Sequence, residues 1–178
     1  MKPIGVLMTE HRLIERMLGI VERTIPKVET RNEIEPVFID TVVDFIRTYA
    51  DRTHHAKEEE ILFREVAKKE MSREDRALLD LLLNEHDYGR KTVREVMGAK
   101  ERYLKNEAGA LAVILEKLNA LIVFYHEHIR KEDDLFFPAS TGYLSNEEQD
   151  AILLEFWESD RKMIHEKYRS VVESWERP

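Results

Sequence analysis

The sequence contains no cysteine, and this absence excludes several kinds of site. Disulfide bonds, thiolate-bound metal ions and iron–sulfur clusters held by cysteine all need the thiol group. Glycine and proline are also scarce, with six and five residues in a chain of 178. Few helix breakers together with 36% charged residues favour helices, so we expect an all-α fold.

Long apolar runs and a positive net charge are missing as well. No stretch approaches the roughly 18–20 apolar residues of a membrane span, and residues 1–5 lack the apolar core of a signal peptide. The net charge is −8, whereas nucleic-acid binding needs a basic surface. We therefore expect a cytoplasmic protein that binds neither a membrane nor a nucleic acid.

Apolar residues at steps of three and four predict five helices. Pro26 is expected to end the first helix and Pro138 the fourth, because proline interrupts helical hydrogen bonding. Ser72 and Asn106 are expected N-caps of the third and fourth helices. The predicted ranges are 3–26, 36–69, 72–105, 106–138 and 145–176, with residues 139–144 as a loop.

Four long helices with short connections predict an antiparallel, up-and-down four-helix bundle. This core bundle would span about residues 3–138, with the helix at about 145–176 as an additional C-terminal element. No segment has the composition of a linker. We therefore expect residues 1–178 to form a single domain.

Two segments of the sequence repeat each other. Residues 54–63 and 128–137 both read His-x-x-Lys-Glu, followed by two acids, two apolar residues and a phenylalanine. A Glu-His pair lies 43 residues upstream of one histidine and 42 upstream of the other, counted from His11 to His54 and from His86 to His128. Two similar helical hairpins would bring six side chains to one level of the core: His11, His54, Glu58, His86, His128 and Glu132.

Each part of this pattern has an ordinary explanation when taken alone. A histidine in an apolar seam is usually a core residue, and a His-x3-Glu pair is usually a surface contact on a helix. The combination differs, because burying two carboxylates without compensation is costly. Iron, manganese or zinc would provide that compensation, since imidazole and carboxylate suit all three. Six ligands are too many for one tetrahedral zinc, which favours two ions bridged by Glu58 and Glu132.

The ordered set of these motifs, which ends in Phe136-Phe137-Pro138, resembles the hemerythrin-like, HHE cation-binding family over about residues 4–138. The resemblance implies an antiparallel four-helix bundle with two non-haem iron ions. By the family pattern, His11 and His128 would bind one iron and His54 and His86 the other. Glu58 and Glu132 would bridge the two ions.

One position differs from the pattern of the oxygen-carrying hemerythrins, in which the third helix has a His-x3-His motif. Here Arg90 occupies the position of the second histidine, four residues after His86, so we expect two histidines for each ion. Arg90 itself is expected to be a solvated cation or a positive charge near an anionic ligand. Gly89 would leave room for a diatomic ligand or permit close helix packing. The set of four histidines and two glutamates is more similar to that of bacterial proteins implicated in nitrosative stress and iron–sulfur repair.

The remaining histidines are expected to lie outside the metal site. His55 directly follows His54 and His126 lies two residues before His128, and α-helical geometry would turn both away from the predicted ligands. His165, on the fifth helix, is expected to touch the bundle or to form a regulatory contact. These three residues are therefore not predicted as ligands.

The function expected from this resemblance is binding of, or reaction with, dioxygen, nitric oxide or peroxide at a di-iron site. Two alternatives stay open: an iron or redox sensor with a protein partner at the fifth helix, and an iron donor that repairs iron–sulfur centres. No Ser-His-Asp set, phosphate loop or spare buried acid predicts a conventional active site. If the protein is an enzyme, we expect a di-iron oxidoreductase acting on peroxide or nitric oxide.

Overall fold

A computed structural model describes the backbone of residues 2–176 and the side chains of residues 2–163. Within these residues the backbone forms helices and turns without any strand, which confirms the prediction of an all-α fold. No helix of this part of the chain combines the length and apolar character needed to cross a membrane.

The described backbone forms five continuous helices. The first, third and fifth are α-helical throughout and span Pro3–Arg31, Arg73–Leu104 and Asn146–Glu176. The second comprises Pro36–Phe45, the π-helical segments Ile46–His55 and Glu58–Phe63, and Arg64–Ala67. The fourth comprises Ala110–Lys131, the π-helical segment Glu132–Phe136, and Phe137–Tyr143.

The apolar seams of the helices form two separate hydrophobic clusters. One contains Ile14, Ala50 and Ile129, and the other contains Leu7, Leu62 and Phe136. Each helix that contributes to both clusters carries a buried polar residue between its two contributions. The polar layer between the clusters consists of His11, His54, His55, Glu58, His86, His128 and Glu132.

The fifth helix closes the second hydrophobic cluster. Ile152 and Phe156 are almost completely buried there, beside Leu7 of the first helix and Leu62 of the second. Ser145 caps this helix, because its Oγ accepts a hydrogen bond from the backbone N–H of Glu148 at 3.2 Å. The predicted start of the fifth helix is confirmed.

The π-helical segments lie where the second and fourth helices cross the polar layer. In the second helix the N–H of Ala56 donates to the carbonyl of Asp51, five residues earlier, and in the fourth Phe137 donates in the same way to Glu132. Hydrogen bonds over five residues widen the turn, so each residue rotates less than the 100° of an α-helix. Consecutive side chains can then face the same side of the helix.

Both predictions that proline ends a helix are wrong. The first helix continues through Pro26 to Arg31 and ends where Asn32 takes a left-handed conformation with φ 51°. Ile25 and Val28 are both buried, so packing on either side of Pro26 offsets the lost hydrogen bond. Pro138 lies in the first turn of the α-helical stretch after the π-helical segment, where proline is tolerated.

The two predicted N-caps have different outcomes. Ser72 caps the third helix, because its Oγ accepts a hydrogen bond from the N–H of Asp75 at 3.0 Å. Asn106 does not cap the fourth, which starts later, at Ala110. Asn106 has φ 58° and Gly109 has φ 80°, so these residues form the turn between the helices.

The expected loop at residues 139–144 is wrong, since the fourth helix extends to Tyr143.

Candidate metal centre

The four histidines that were predicted to bind metal form two close pairs. His11 Nε2 lies 2.8 Å from His54 Nε2, and His86 Nε2 lies 3.1 Å from His128 Nε2. All four rings are buried at the level of the polar layer. In each pair the two Nε2 atoms face the same point, an arrangement that suits two imidazoles binding one ion.

These pairs correct the assignment that the resemblance implied. His11 is paired with His54 rather than with His128, and His86 is paired with His128. The reason is the topology, because each pair lies on two helices that follow each other in the chain. Each helical hairpin therefore closes its own histidine pair.

Glu58 and Glu132 lie between the two pairs and face both. Glu58 Oε1 is 3.3 Å from His54 Nε2, and its Oε2 is 3.4 Å from His86 Nε2. Glu132 Oε2 is 3.3 Å from His11 Nε2, and its Oε1 is 3.3 Å from His128 Nε2. Each carboxylate thus directs one oxygen toward each histidine pair.

No hydrogen bond satisfies these carboxylates. All four carboxylate oxygens of Glu58 and Glu132 are buried without a hydrogen-bond partner. Leaving a buried polar group unsatisfied costs about 1–3 kcal/mol, and more for a charged group. A cation at the centre would compensate for this cost, so the donor set fits a metal ion.

His55 is the residue that the sequence analysis placed wrongly. Its ring is 2% exposed and stacks on His86 with the ring centroids 3.9 Å apart. His55 closes the π-helical segment Ile46–His55, and the wider turn explains why both His54 and His55 face the interior. In the sequence, only the adjacent pair His54-His55 could have indicated that a second histidine faces the interior here.

Two groups of possible ligand atoms result. The first consists of His11, His54, Glu58 and Glu132, and the second consists of His55, Glu58, His86 and His128. Within each group the ligand atoms lie within 4.8 Å of one another, and all residues are buried. Glu58 belongs to both groups. The structure thus brings all six predicted ligands together and adds His55, while their role as ligands stays a prediction.

Each histidine of the two pairs has an acid at its other ring nitrogen. The Nδ1 to carboxylate distances are 2.7 Å for His11–Asp133, 2.9 Å for His54–Glu10, 2.6 Å for His86–Glu59 and 2.9 Å for His128–Glu85. An acid at Nδ1 places the proton there and leaves Nε2 free to bind a metal, which is typical of metal-bound histidines. Every one of these acids is a sequence neighbour of a predicted ligand, a regularity that the sequence analysis left unused.

Comparison with known families agrees with this geometry. Residues 2–140 match the family described as "Hemerythrin HHE cation binding domain". The chain belongs to the hemerythrin HHE family.

Curated relatives of this hemerythrin-like chain occur in mycobacteria. An uncharacterized protein of Mycobacterium bovis and two of Mycobacterium tuberculosis are each 23% identical over 168 residues. The aligned region covers 94% of this chain and 65% of each relative, so the chain spans less than two thirds of their length. No solved structure matches the chain.

Without a metal ion, the hemerythrin-like site must share protons between its buried acids and imidazoles. Burial and the neighbouring Glu58 raise the pKa of Glu132 well above its usual value. Burial would lower the pKa of His54, but the charge of Glu58 and the hydrogen bond with Glu10 outweigh it and raise the pKa to about 9. Burial lowers the pKa of His86 to about 3. The raised pKa values favour the protonated forms of His54 and Glu132 in the metal-free site.

Arg90 is not a solvated cation, which was one of its two expected roles, and a role near an anionic ligand stays a prediction. Its guanidinium donates to Asp51 at 2.8 Å, to Asp87 at 3.0 Å and to Glu59 at 2.5 Å. Three acids thus neutralise the charge, and Arg90 holds Glu59 against the Nδ1 of His86. Arg90 thus positions an acid that contacts His86, and not one of the six predicted ligands.

The other single residues are also assigned by their surroundings. A side chain on Gly89 would have its Cβ 3.1 Å from the ring of Phe124, so close packing accounts for this glycine. His126 is exposed, as predicted. The side chain of His165 lies outside the described residues, and its expected contact stays a prediction.

Proposed function

We propose that the protein holds two non-haem iron ions, one in each group of ligand atoms, and binds or reacts with dioxygen, nitric oxide or peroxide. The observation that supports this most strongly is the position of Glu58 and Glu132. Four buried carboxylate oxygens have no hydrogen-bond partner and face two histidine pairs. Two cations would neutralise both acids at once.

The protein residues have distinct tasks in this proposal. His11 and His54 would bind one ion, and His55, His86 and His128 would bind the other, with Glu58 and Glu132 between them. In this proposal the first ion has two histidines and the second has three, whereas the sequence analysis expected two for each, because His55 joins the second group. The acids at Nδ1 fix the ring orientation. When bound, the iron pair would supply redox chemistry and exchangeable coordination positions.

The apolar surroundings support chemistry that needs protection from bulk water. Phe137 stacks on His11 with centroids 5.6 Å apart, and Phe63 stacks on His86 at 6.0 Å. Both phenylalanines are almost completely buried. A small uncharged molecule can reach such a site more easily than a hydrated ion, which favours diatomic molecules and peroxide as ligands.

A second function, iron or redox sensing through the fifth helix, has an observation of its own. Asp160 of that helix forms an ion pair with Lys57 at 2.6 Å, and Lys57 is completely buried. Lys57 also binds Glu10, which accepts from Nδ1 of His54. A continuous chain of charged contacts therefore joins the fifth helix to the first ligand group.

The topology of the bundle, the number of domains and the cellular location are also part of the proposal. We propose an antiparallel up-and-down bundle formed by the first four helices, within a single domain and in the cytoplasm. The short turns at residues 32–35 and 105–109 support the antiparallel arrangement, because they leave no length for a crossover. Repair of iron–sulfur centres stays a prediction from the resemblance.

Metal analysis after anaerobic reconstitution with ferrous iron tests the proposal. We expect two irons per chain and, after oxidation, magnetic coupling between them in Mössbauer spectra. Stopped-flow mixing with dioxygen, nitric oxide or peroxide would then identify the ligand. Saturation at one ion per chain, or two ions without coupling, would contradict the di-iron assignment.

A further inference from the structure

A cavity of about 340 Å³ opens beside the second ligand group. Its inner end is formed by His55 and Tyr125, whose rings stack with centroids 6.2 Å apart. This volume lies within the range of about 300–1,000 Å³ typical of small-molecule sites. It is larger than a diatomic molecule needs, so the cavity suggests a different ligand.

The walls of the cavity are apolar, whereas its mouth is basic. Ile46, Val93 and Met97 line the walls, and Arg47 and Arg94 are exposed at the opening. Arg47 contacts the weak acceptor Met97 Sδ at 3.6 Å. Neither arginine forms an ion pair with any acid whose side chain the structure describes, so both charges are available to a ligand.

Arg90 also lines the cavity, but its charge is already taken up by acids. Asp51 accepts from Arg90, and Arg90 is further held by two other acids. Arg90 therefore offers no free positive charge to a ligand, unlike Arg47 and Arg94 at the mouth.

We propose that this cavity binds an organic carboxylate with an apolar body. The carboxylate would contact Arg47 and Arg94 at the mouth, since guanidinium groups bind carboxylates through paired hydrogen bonds. The apolar body would lie against Ile46 and Val93, with its far end at His55. This proposal goes beyond the metal site, and binding at the mouth does not require a bound metal.

Isothermal titration calorimetry with hexanoate as the probe tests the proposal on the full chain, both metal-free and iron-loaded. We expect saturable binding of one hexanoate per chain. Acetate lacks the apolar body and hexanol lacks the charge, so both should bind at least about tenfold more weakly. Equal binding of acetate and hexanoate would reduce the site to a surface charge and overturn the proposal.

A pair of double variants separates the cavity from the general charge of the protein. Arg47→Glu with Arg94→Glu should weaken hexanoate binding by about tenfold or more. Arg73→Glu with Arg130→Glu gives the same change in net charge at two exposed arginines away from the cavity, and should leave binding unchanged. Equal loss in both double variants, or no saturable binding to the wild-type protein, would overturn the proposal.

Two further measurements keep this test independent of the proposed function. Iron content of the Arg47→Glu, Arg94→Glu protein should equal that of the wild type, because neither residue contacts the ligand groups. Met97→Trp should narrow the cavity and weaken hexanoate binding while both arginines remain. Normal iron loading without hexanoate binding would refute the proposed carboxylate site and leave the metal centre standing. Hexanoate binding without iron loading would refute the proposed metal centre and leave the carboxylate site standing.

Discussion

Replacing Glu132 by methionine should stabilise the metal-free protein and at the same time abolish normal metal binding. Glu132 is completely buried, and both of its carboxylate oxygens lack a hydrogen-bond partner. Methionine has a similar length and shape, so it fills the space without adding a polar atom. The same side chain that a metal needs is therefore a cost to the fold when the metal is absent.

The expected gain follows from the state of Glu132. Burial and the neighbouring Glu58 raise its pKa well above the usual value, which favours the neutral carboxyl group in the metal-free protein. Removing an unsatisfied buried neutral group should raise the free energy of unfolding by about 1–3 kcal/mol. For a protein of this size each kcal/mol corresponds to about 2–4 °C in the melting temperature.

The gain should also depend on pH. The folded protein binds a proton at Glu132 that the unfolded chain releases above its ordinary carboxyl pKa. This difference lowers the stability of the wild type as the pH rises above about 4.5, until the pH reaches the raised pKa of the folded state. Methionine removes this contribution, so the stabilisation should be larger at pH 7 than at pH 5.

Denaturant unfolding of chelator-treated protein measures the effect, with Glu127→Met as the matched control. Glu127 lies on the same helix and is exposed, so its substitution should leave both stability and iron content unchanged. Glu132→Met should show the gain together with loss of iron. Destabilisation of the metal-free protein by Glu132→Met, or full iron loading of this variant, would refute the reasoning.

Four further outcomes are expected. Anaerobic reconstitution should give two irons per chain, and a plateau at one would contradict the shared carboxylates. His55→Ala should lose iron whereas His126→Ala should not, because only His55 faces the second ligand group; equal iron in both variants would remove His55 from the site. Loading with ferrous iron should release protons from His54 and Glu132, whose pKa values are raised in the metal-free site; calorimetry in buffers of different ionisation heat measures this release, and a value near zero would refute the proton assignment. With three histidines at one ion, exposure of the reduced protein to dioxygen should give a visible band that disappears on degassing; irreversible bleaching would show that His55 does not protect the site.

The composition and periodicity of the sequence determine the helical fold and the six predicted ligands. The repeat of His-x-x-Lys-Glu in residues 54–58 and 128–132 places the predicted ligands at one level because matched helical hairpins have matched lengths. Local rules succeeded where the backbone follows ordinary α-helical geometry. Ser72 illustrates this, since a cap depends only on its own turn.

Local rules failed where tertiary packing changes the geometry. Pro26 and Pro138 stay within helices because buried neighbours and a change from π- to α-helical hydrogen bonding accommodate them. His55 was excluded on the assumption of 100° per residue, which does not hold in a π-helical segment. No periodicity in the sequence reveals a widened turn.

The pairing of the histidines and the roles of their neighbours depend on the tertiary structure alone. A sequence can show that His11, His54, His86 and His128 approach one another, but not which ring faces which. The pairing follows from the way each hairpin closes, and it appears only when Nε2 of His11 lies beside Nε2 of His54. Arg90 likewise depends on tertiary structure, because two of the three acids around its guanidinium, Asp51 and Glu59, belong to the second helix. Sequence determines which groups are available, whereas distances between helices decide which of them interact, because electrostatic and coordination energies depend on separations of a few ångströms.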